Sequence, residues 1–214
     1  MAEPKKKGVN GRAKGKKAEN EVAKIHVAWW GMHEPGTEFK STPQSGGFST
    51  PTVRAHFKMA GDLMTTSKIF PFVVEVKRRE GFDIRNVYRM KPSPIWGWWR
   101  QAVAAARVQG GVPILWFRDG KKGKTAEWFL MVPRFCFTSL PALDPWDQDL
   151  ALIDTGGVWP MLTTWETLRD CMPIPAIIKA CKTFSLSSKE TSTQTVPSPP
   201  IARNSDRVRS GKGG

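Results

Sequence analysis

Apolar residues first recur at helical spacing at Ala18, Val22, Ile25 and Trp29. That stripe predicts a helix over Ala13–Trp30, which Gly31 would end. The period then disappears. Residues 33–56 are rich in Gly, Pro, Ser and Thr and read as a long irregular segment with a short strand near Phe39. Strand-forming runs follow at Lys58–Met64 and Phe72–Lys77. A turn at Thr65–Lys68 would join them as a hairpin, with Pro71 tolerated at a strand start. Residues 78–94 are charged and broken by proline. Ser93-Pro94 then opens a helix over Ile95–Gln109 that Gly110-Gly111 closes. Val112–Phe117 reads as a buried strand, residues 119–123 as a turn and Glu127–Pro133 as a further strand. Beyond these, short strands at Phe135–Leu140 and Val158–Leu162 precede two helices. The first, Thr164–Cys171, has Thr164 as its cap, and the second covers Pro175–Phe184.

The order helix, loop, strand, strand, helix, strand, strand specifies an α/β protein with a mixed central sheet flanked by helices. The two apolar strands around the 95–109 helix would run parallel, joined by a right-handed crossover. Four regions are expected: a flexible basic arm (1–13), a core (14–134), a C-terminal extension packed on it (135–184), and a disordered Ser/Thr/Pro-rich basic tail (185–214).

One stretch breaks the apolar pattern, Gly61–Lys77. Alternation places Phe72, Val74 and Val76 on one face of a strand, and Val73, Glu75 and Lys77 on the other. A carboxylate and an ammonium in such a strand are costly unless used or paired. A surface strand ending in charges is the plain alternative.

Composition narrows the partners. The chain has 214 residues, 40% of them hydrophobic, with ten Trp, enough for one well-packed domain. Trp96, Trp98 and Trp99 could form a dimer face, although core packing accounts for at least two of them. The net charge of +14 points to a polyanionic partner. Both ends are basic, and the N-terminal run suits a nucleic-acid arm that adds phosphate contacts. Cys136, Cys171 and Cys181 form no Cys-x-x-Cys pair, which suggests reduced thiols in a cytoplasmic setting. Neither a signal peptide nor an apolar run of membrane-spanning length is expected, so no membrane partner is. The three histidines, His26, His33 and His56, lack zinc-ligand spacing with the cysteines. Neither a phosphate-binding Gly-x-x-x-x-Gly-Lys-Ser/Thr loop nor a Gly-x-Ser-x-Gly elbow occurs, which argues against an ATPase or a serine hydrolase.

Asp62 and Glu75, on neighbouring strands, offer hard oxygen ligands of the kind Mg²⁺ takes while keeping several waters. A cation there can polarise a phosphodiester and acidify a bound water, and Lys77 can stabilise charge developing on the phosphate. On the first helix, Glu19 and Glu21 lie on the two flanks of the stripe. Either could instead be a solvated carboxylate near a lysine-rich helix start.

An Asp, then Glu-x-Lys on a strand, preceded by a helical Glu, resembles the PD-(D/E)XK nucleases. Within them the chain looks most like the Holliday junction resolvases of the archaeal and phage type. The matching pieces are Lys14-Gly15-Lys16-Lys17-Ala18-Glu19, Ser45-Gly46-Gly47, Gly61-Asp62, Glu75-Val76-Lys77, and Gln101-Ala102-Val103-Ala104-Ala105-Ala106 before the strand Pro113–Phe117. Gly61 stands where that family often has Pro, and the span from Ser45 to Asp62 is longer than the family's.

The resemblance implies a restriction-endonuclease-like core. Asp62, Glu75 and the Val76 carbonyl would hold Mg²⁺, or Mn²⁺ in its place. Glu19 would be a further acid on the metal, Lys77 the catalytic lysine and Gln101 a supporting polar residue. Ser45 would lie by the scissile phosphate, and Lys14, Lys16, Lys17, Arg78 and Arg79 would contact DNA. The activity implied is a structure-selective endonuclease that cuts four-way DNA junctions as a homodimer, in the host cytoplasm if phage-encoded. A nuclease of duplex, flaps or ends is one alternative. A basic nucleic-acid-binding protein without activity, its Asp and Glu-x-Lys forming a surface salt-bridge ladder, is another.

Overall fold

Two apolar runs make the centre of the molecule, and each is covered because neither face can be left in water. A computed structural model describes residues 11–43, 56–80, 82–88, 91–119, 127–137 and 157–190. Helix α1 (Gly11–Trp30) leads to β1 (Phe39–Ser41), β2 (Lys58–Ala60), β3 (Leu63–Thr65) and β4 (Phe72–Arg79). A short helix α2 (Ile84–Tyr88) and the longer α3 (Pro94–Gln109) follow, then β5 (Val112–Asp119) and β6 (Phe129–Pro133). A 3₁₀ turn (Arg134–Cys136), β7 (Pro160–Thr164), α4 (Trp165–Cys171) and α5 (Ile174–Glu190) complete the described chain.

The strands form two sheets, in the orders β1-β3-β2 and β4-β5-β6-β7. As expected, β4 and β5 are parallel, with Val76 opposite Trp116, while β6 and β7 add antiparallel. The result is a mixed α/β fold. The region read as a packed extension contributes β7 to the main sheet.

Helix α3 starts and stops where the sequence signals do. The Ser93 hydroxyl accepts from the Ile95 N–H at 3.4 Å, Pro94 fills the first turn, and Gly110 leaves the helix at φ 70° with its N–H on the Ala106 carbonyl. Thr164 caps α4 through Thr167, also as expected.

Other expectations are corrected. Lys58–Met64 is not one strand paired with Phe72–Lys77. It folds back on itself at Gly61-Asp62, so that Ala60 faces Leu63, and its strand pairing with β4 is a single parallel bridge from Gly61 to Val74. The two-residue turn with a glycine at positive φ explains this better than the Thr65–Lys68 connection. Residues 134–136 form a 3₁₀ turn rather than the start of a strand, and 138–140 lie outside the described residues. The Val158–Leu162 strand sits two residues later, α5 continues past Phe184 to Glu190, and α2 interrupts the charged stretch before α3.

The core is aromatic. Trp30, Trp99, Trp116, Phe70, Phe72, Phe117 and Phe137 are fully buried. Burying each such side chain stabilises the fold by about 2–3 kcal/mol relative to exposure. Trp96 and Trp99 are buried, with their indole N–H groups on the Lys91 and Val158 carbonyls, and Trp98 packs edge-on against Phe82. Core packing therefore occupies these tryptophans.

His26 sits fully buried among Trp29, Phe39, Phe70 and Trp116, with Nδ1 on the Val22 carbonyl at 2.9 Å and Nε2 unpartnered. Burial lowers its pKa to about 4, although the Val22 carbonyl partly opposes this. A base held below its free value near 6.5 binds its proton more readily in the unfolded chain. Its contribution to stability is therefore complete above pH 6.5 and is lost as pH falls toward 4. That contribution reaches about 3 kcal/mol. Chemical denaturation of wild type and His26→Phe at pH 7.5 and 4.5 should show a steeper acid loss for wild type; equal losses would contradict it.

Candidate active site

The free edge of β4 is where the charged residues gather. The peptide groups of Val74 and Val76 point to that edge, since β5 takes the other. The β2–β3 turn closes on it. The Asp62 N–H donates to the Val74 carbonyl at 2.7 Å, and the Val76 N–H donates to Asp62 Oδ2 at 2.8 Å. Asp62 thus acts as one more strand residue through its backbone and as a cap through its side chain. In a strand, one residue's N–H and C=O face the same edge, so the Val76 carbonyl shares this edge with the Asp62 carboxylate.

Gly61 makes the approach possible. It has φ 76°, and a β-carbon there would collide with the Val74 carbonyl and backbone nitrogen. Its N–H donates to Gln109 Oε1 at 3.0 Å, so the last turn of α3 also grips this corner. From the other side, the Thr42 N–H and hydroxyl both donate to the Asp62 carbonyl, at 2.9 and 3.2 Å.

Three acids converge on this corner from three elements: Glu19 on α1, Asp62 in the turn and Glu75 on β4. Glu75 is only 5% exposed and Glu19 8%. Burial raises the pKa of all three carboxyls. Asp62 is the middle member, since its charge raises both Glu19 and Glu75 further, whereas Glu19 acts on Glu75 more weakly. Two cations oppose this. Lys77 is ion-paired with Glu75, and Lys16 lies 3.5 Å from Glu19. Glu19 Oε2 is buried and, apart from that ammonium, has no hydrogen-bond partner. Among the described residues, Glu75 Oε1 has only Lys77 against it. Buried, mutually repelling carboxylates are not a surface salt-bridge ladder.

The donor set fits a hard divalent cation: carboxylate oxygens, a nearby backbone carbonyl, and anionic charge that a cation would relieve. Among the described residues no group of three or more His, Cys, Asp and Glu side chains is placed to hold a metal ion, so the candidate ligands are two carboxylates, Asp62 and Glu75, with the Val76 carbonyl.

The structure separates the two helical acids. Glu19 turns toward Asp62, whereas Glu21 accepts a two-pronged bond from Arg118, at 2.6 and 2.5 Å, and lies 3.4 Å from the Trp128 indole nitrogen. Lys14 and Lys17 are exposed on α1, with Lys14 3.4 Å from Glu80. Lys16 is half-exposed, with its ammonium on the Thr42 carbonyl at 2.6 Å. Arg78 is half-buried and Arg79 exposed at the end of β4. A cavity of about 560 Å³ runs beside α1, lined by Ala13, Lys16, Lys17, Asn20, Glu21 and Lys24.

One expected residue is not brought to the corner. Gln101 is exposed on α3 and makes no hydrogen bond to the acids. The side-chain amide that reaches the corner from that helix is that of Gln109, which no sequence motif had marked. Ser45 lies outside the described residues. Thr42 was missed too, because its role lies in backbone geometry that local sequence does not encode.

A family model described as "Phage putative PDDEXK endonuclease" matches residues 10–167, more than half of the chain. The chain belongs to this family. It is thus a nuclease of the PD-(D/E)XK superfamily, and the matched span of this PDDEXK endonuclease runs from α1 into α4, enclosing Glu19, Asp62, Glu75 and Lys77. Searches of curated proteins and of solved structures each gave no match. Among the described residues no helix is long and apolar enough to cross a membrane.

Gly61→Ala should lower stability by about 2 kcal/mol or more and loosen Asp62 from β4. Thermal melts together with Mn²⁺ titration would show both effects; an unchanged melt would refute the close approach. Glu19→Gln and Glu21→Gln should diverge. The first weakens Mn²⁺ binding several-fold, and the second leaves it near wild type while lowering stability by about 1–3 kcal/mol through the lost charge-assisted pair. Calorimetric titration of both variants checks this.

Proposed function

We propose that this PDDEXK nuclease is a metal-dependent DNA endonuclease and that its preferred substrate is a four-way junction, cut by a homodimer. The observation that carries the metal-dependent reading is the meeting of Glu19, Asp62 and Glu75 at the edge of β4, where Glu19 and Glu75 are buried and each has an oxygen without a hydrogen-bond partner among the described residues. Asp62, Glu75 and the Val76 carbonyl, with Glu19 beside them, would hold Mg²⁺, or Mn²⁺ in its place. The cation would polarise the phosphate and acidify a bound water.

The chain's own residues do the rest. Asp62 is fixed in place by Val74, Val76 and Thr42, so little reorganisation is needed when substrate arrives. Lys77 now neutralises Glu75. With a cation held by Asp62 and Glu75, the Lys77 ammonium would be available to a phosphate oxygen and would stabilise the charge that develops there as water attacks. Lys14, Lys17, Arg78 and Arg79 would offer positive charge to the phosphodiester backbone, as would the lysines of the N-terminal run. These contacts position DNA without reading its sequence, which suits selection by shape.

The junction preference rests on the Lys-Gly-x-x-x-Glu start and the order of motifs that follow it. Paired cuts across a junction need two active sites, and a two-fold dimer supplies them. The same catalytic corner would also serve a nuclease of linear duplex, flaps or ends.

Glu75→Ala should abolish cleavage, with a loss of at least about 10³-fold, while DNA affinity stays within about threefold, because affinity comes mostly from Lys/Arg–phosphate contacts. The check is Mg²⁺-dependent cleavage and gel-shift binding of a labelled four-way junction, beside linear duplex of the same sequence. Symmetric paired nicks on the junction alone support the full reading. Equal cutting of the duplex would sink the junction preference, and no cutting with any divalent metal would sink the catalytic reading.

A further inference from the structure

Lys16 has an unusual position for a residue on a lysine-rich helix start. It lies one turn before Glu19, and its half-exposed side chain carries the ammonium to Thr42 and Glu19, whereas Lys14 and Lys17 are exposed. It makes two contacts of different quality. The bond to the Thr42 carbonyl is short, 2.6 Å, whereas the approach to Glu19 Oε2 is 3.5 Å, beyond the usual length of a charge-assisted hydrogen bond. Thr42 in turn holds the Asp62 carbonyl through its N–H and its hydroxyl. Lys16 therefore touches one acid directly and is joined through Thr42 to the backbone of the next. Its charge favours the ionised form of both Glu19 and Asp62.

We propose that Lys16 is the resident counter-ion of the acid cluster: it sits on Glu19 when no metal is bound and gives up that contact when a divalent cation arrives. This rests on the metal-dependent reading above. The charge count leads there. With all groups ionised, Glu19, Asp62 and Glu75 stand against Lys16 and Lys77, leaving one negative charge uncompensated. Adding a divalent cation overshoots to one positive charge. The group that can leave at least expense is the one held by the longest contact, which is Lys16 on Glu19. Its bond to Thr42 tethers it, so leaving Glu19 does not take it out of the site. An ammonium has three donors, and those not used by Thr42 can turn to a phosphate oxygen. One residue would thus keep the acids compatible before the metal binds and add a phosphate contact afterwards.

The roles that compete with this one differ in a measurable way. A lysine that only contacts DNA leaves metal affinity unchanged in the absence of DNA. A lysine that only braces Thr42 and Glu19 weakens metal binding when removed. A resident counter-ion opposes the metal, so its removal strengthens metal binding.

The test is calorimetric titration of Mn²⁺ into the full-length chain without DNA, for wild type, Lys16→Gln, Lys16→Met and Lys16→Arg, with circular-dichroism melts to verify folding. Lys16→Gln retains a donor for the Thr42 carbonyl without the charge, so it stays informative if Lys16→Met does not fold. Both neutral variants are expected to bind Mn²⁺ about tenfold more tightly than wild type, and Lys16→Arg to stay within about threefold of it. Unchanged or weaker Mn²⁺ affinity in folded Lys16→Gln overturns the inference while leaving the metal-dependent reading intact. Absence of Mn²⁺ binding by the wild-type chain overturns that reading, and this inference with it.

Discussion

The site depends on how one aspartate finishes an open sheet edge. Among the described strands β4 has β5 on one side only, and unpaired peptide groups on the other side would be costly where water is scarce. The Gly61-Asp62 turn satisfies them, with the Asp62 N–H on Val74 and the Asp62 carboxylate on the Val76 N–H. The bonds that complete the sheet therefore also fix the middle acid of the cluster. Fold and site cannot be adjusted separately here. Any side chain at Gly61 pushes on the Val74 carbonyl and moves Asp62 with it.

The same type of side chain is treated oppositely elsewhere. Glu34, just past the end of α1, accepts from the Trp30 indole at 3.0 Å and the Ser67 hydroxyl at 2.5 Å. Burial raises its pKa, but those hydrogen bonds outweigh burial and hold the carboxyl below its usual range. Glu34 is a satisfied anion that ties the helix end to the loop after β3. Glu19 and Glu75 are buried more deeply and have fewer partners, and their pKa values move up instead. A chain that can satisfy Glu34 so fully, yet leaves the acids at the β4 edge short of donors, keeps the hydrogen-bonding capacity of those acids for something other than its own fold.

Much of the fold was legible because its signals were local. Ser93-Pro94 and Gly110-Gly111 bracket α3, Thr164 caps α4, and the unbroken apolar runs of β4 and β5 show that both faces are covered. The strand pairing before β4 was misread because alternation over Lys58–Met64 looks the same whether the run is one strand or two short ones folded at a glycine. Only the positive φ at Gly61 separates the two, and a glycine in a strand-like run admits it without demanding it. At the site, Asp62, Glu75 and Lys77 stood out as charges in an apolar setting. The choice between Glu19 and Glu21 could not be read locally, since it turns on Arg118 and Trp128 far along the chain. Gln109 was hidden for the same reason, since its partner, the Gly61 N–H, is remote in sequence.

The division of labour along α1 follows from helix geometry. Residues three apart share a face, so Lys16 and Glu19 look toward the corner together, whereas Glu21, two positions on from Glu19, turns to Arg118. Asn20, between them, accepts from the Ser41 hydroxyl at 2.5 Å, one residue before the Thr42 carbonyl that binds Lys16. Consecutive residues of β1 and its exit are thus fastened to consecutive turns of the helix, and Thr42 is fastened in turn to Asp62. That chain of contacts carries the position of the helix to the turn that bears the middle acid. A shift of α1 would move Glu19 relative to Glu75, with Asp62 held between them by Thr42 on the helix side and by Val74 and Val76 on β4. The spacing of the acids is set by the seam between α1 and the sheet edge, and a substrate that presses on the basic face of α1 acts on that seam directly.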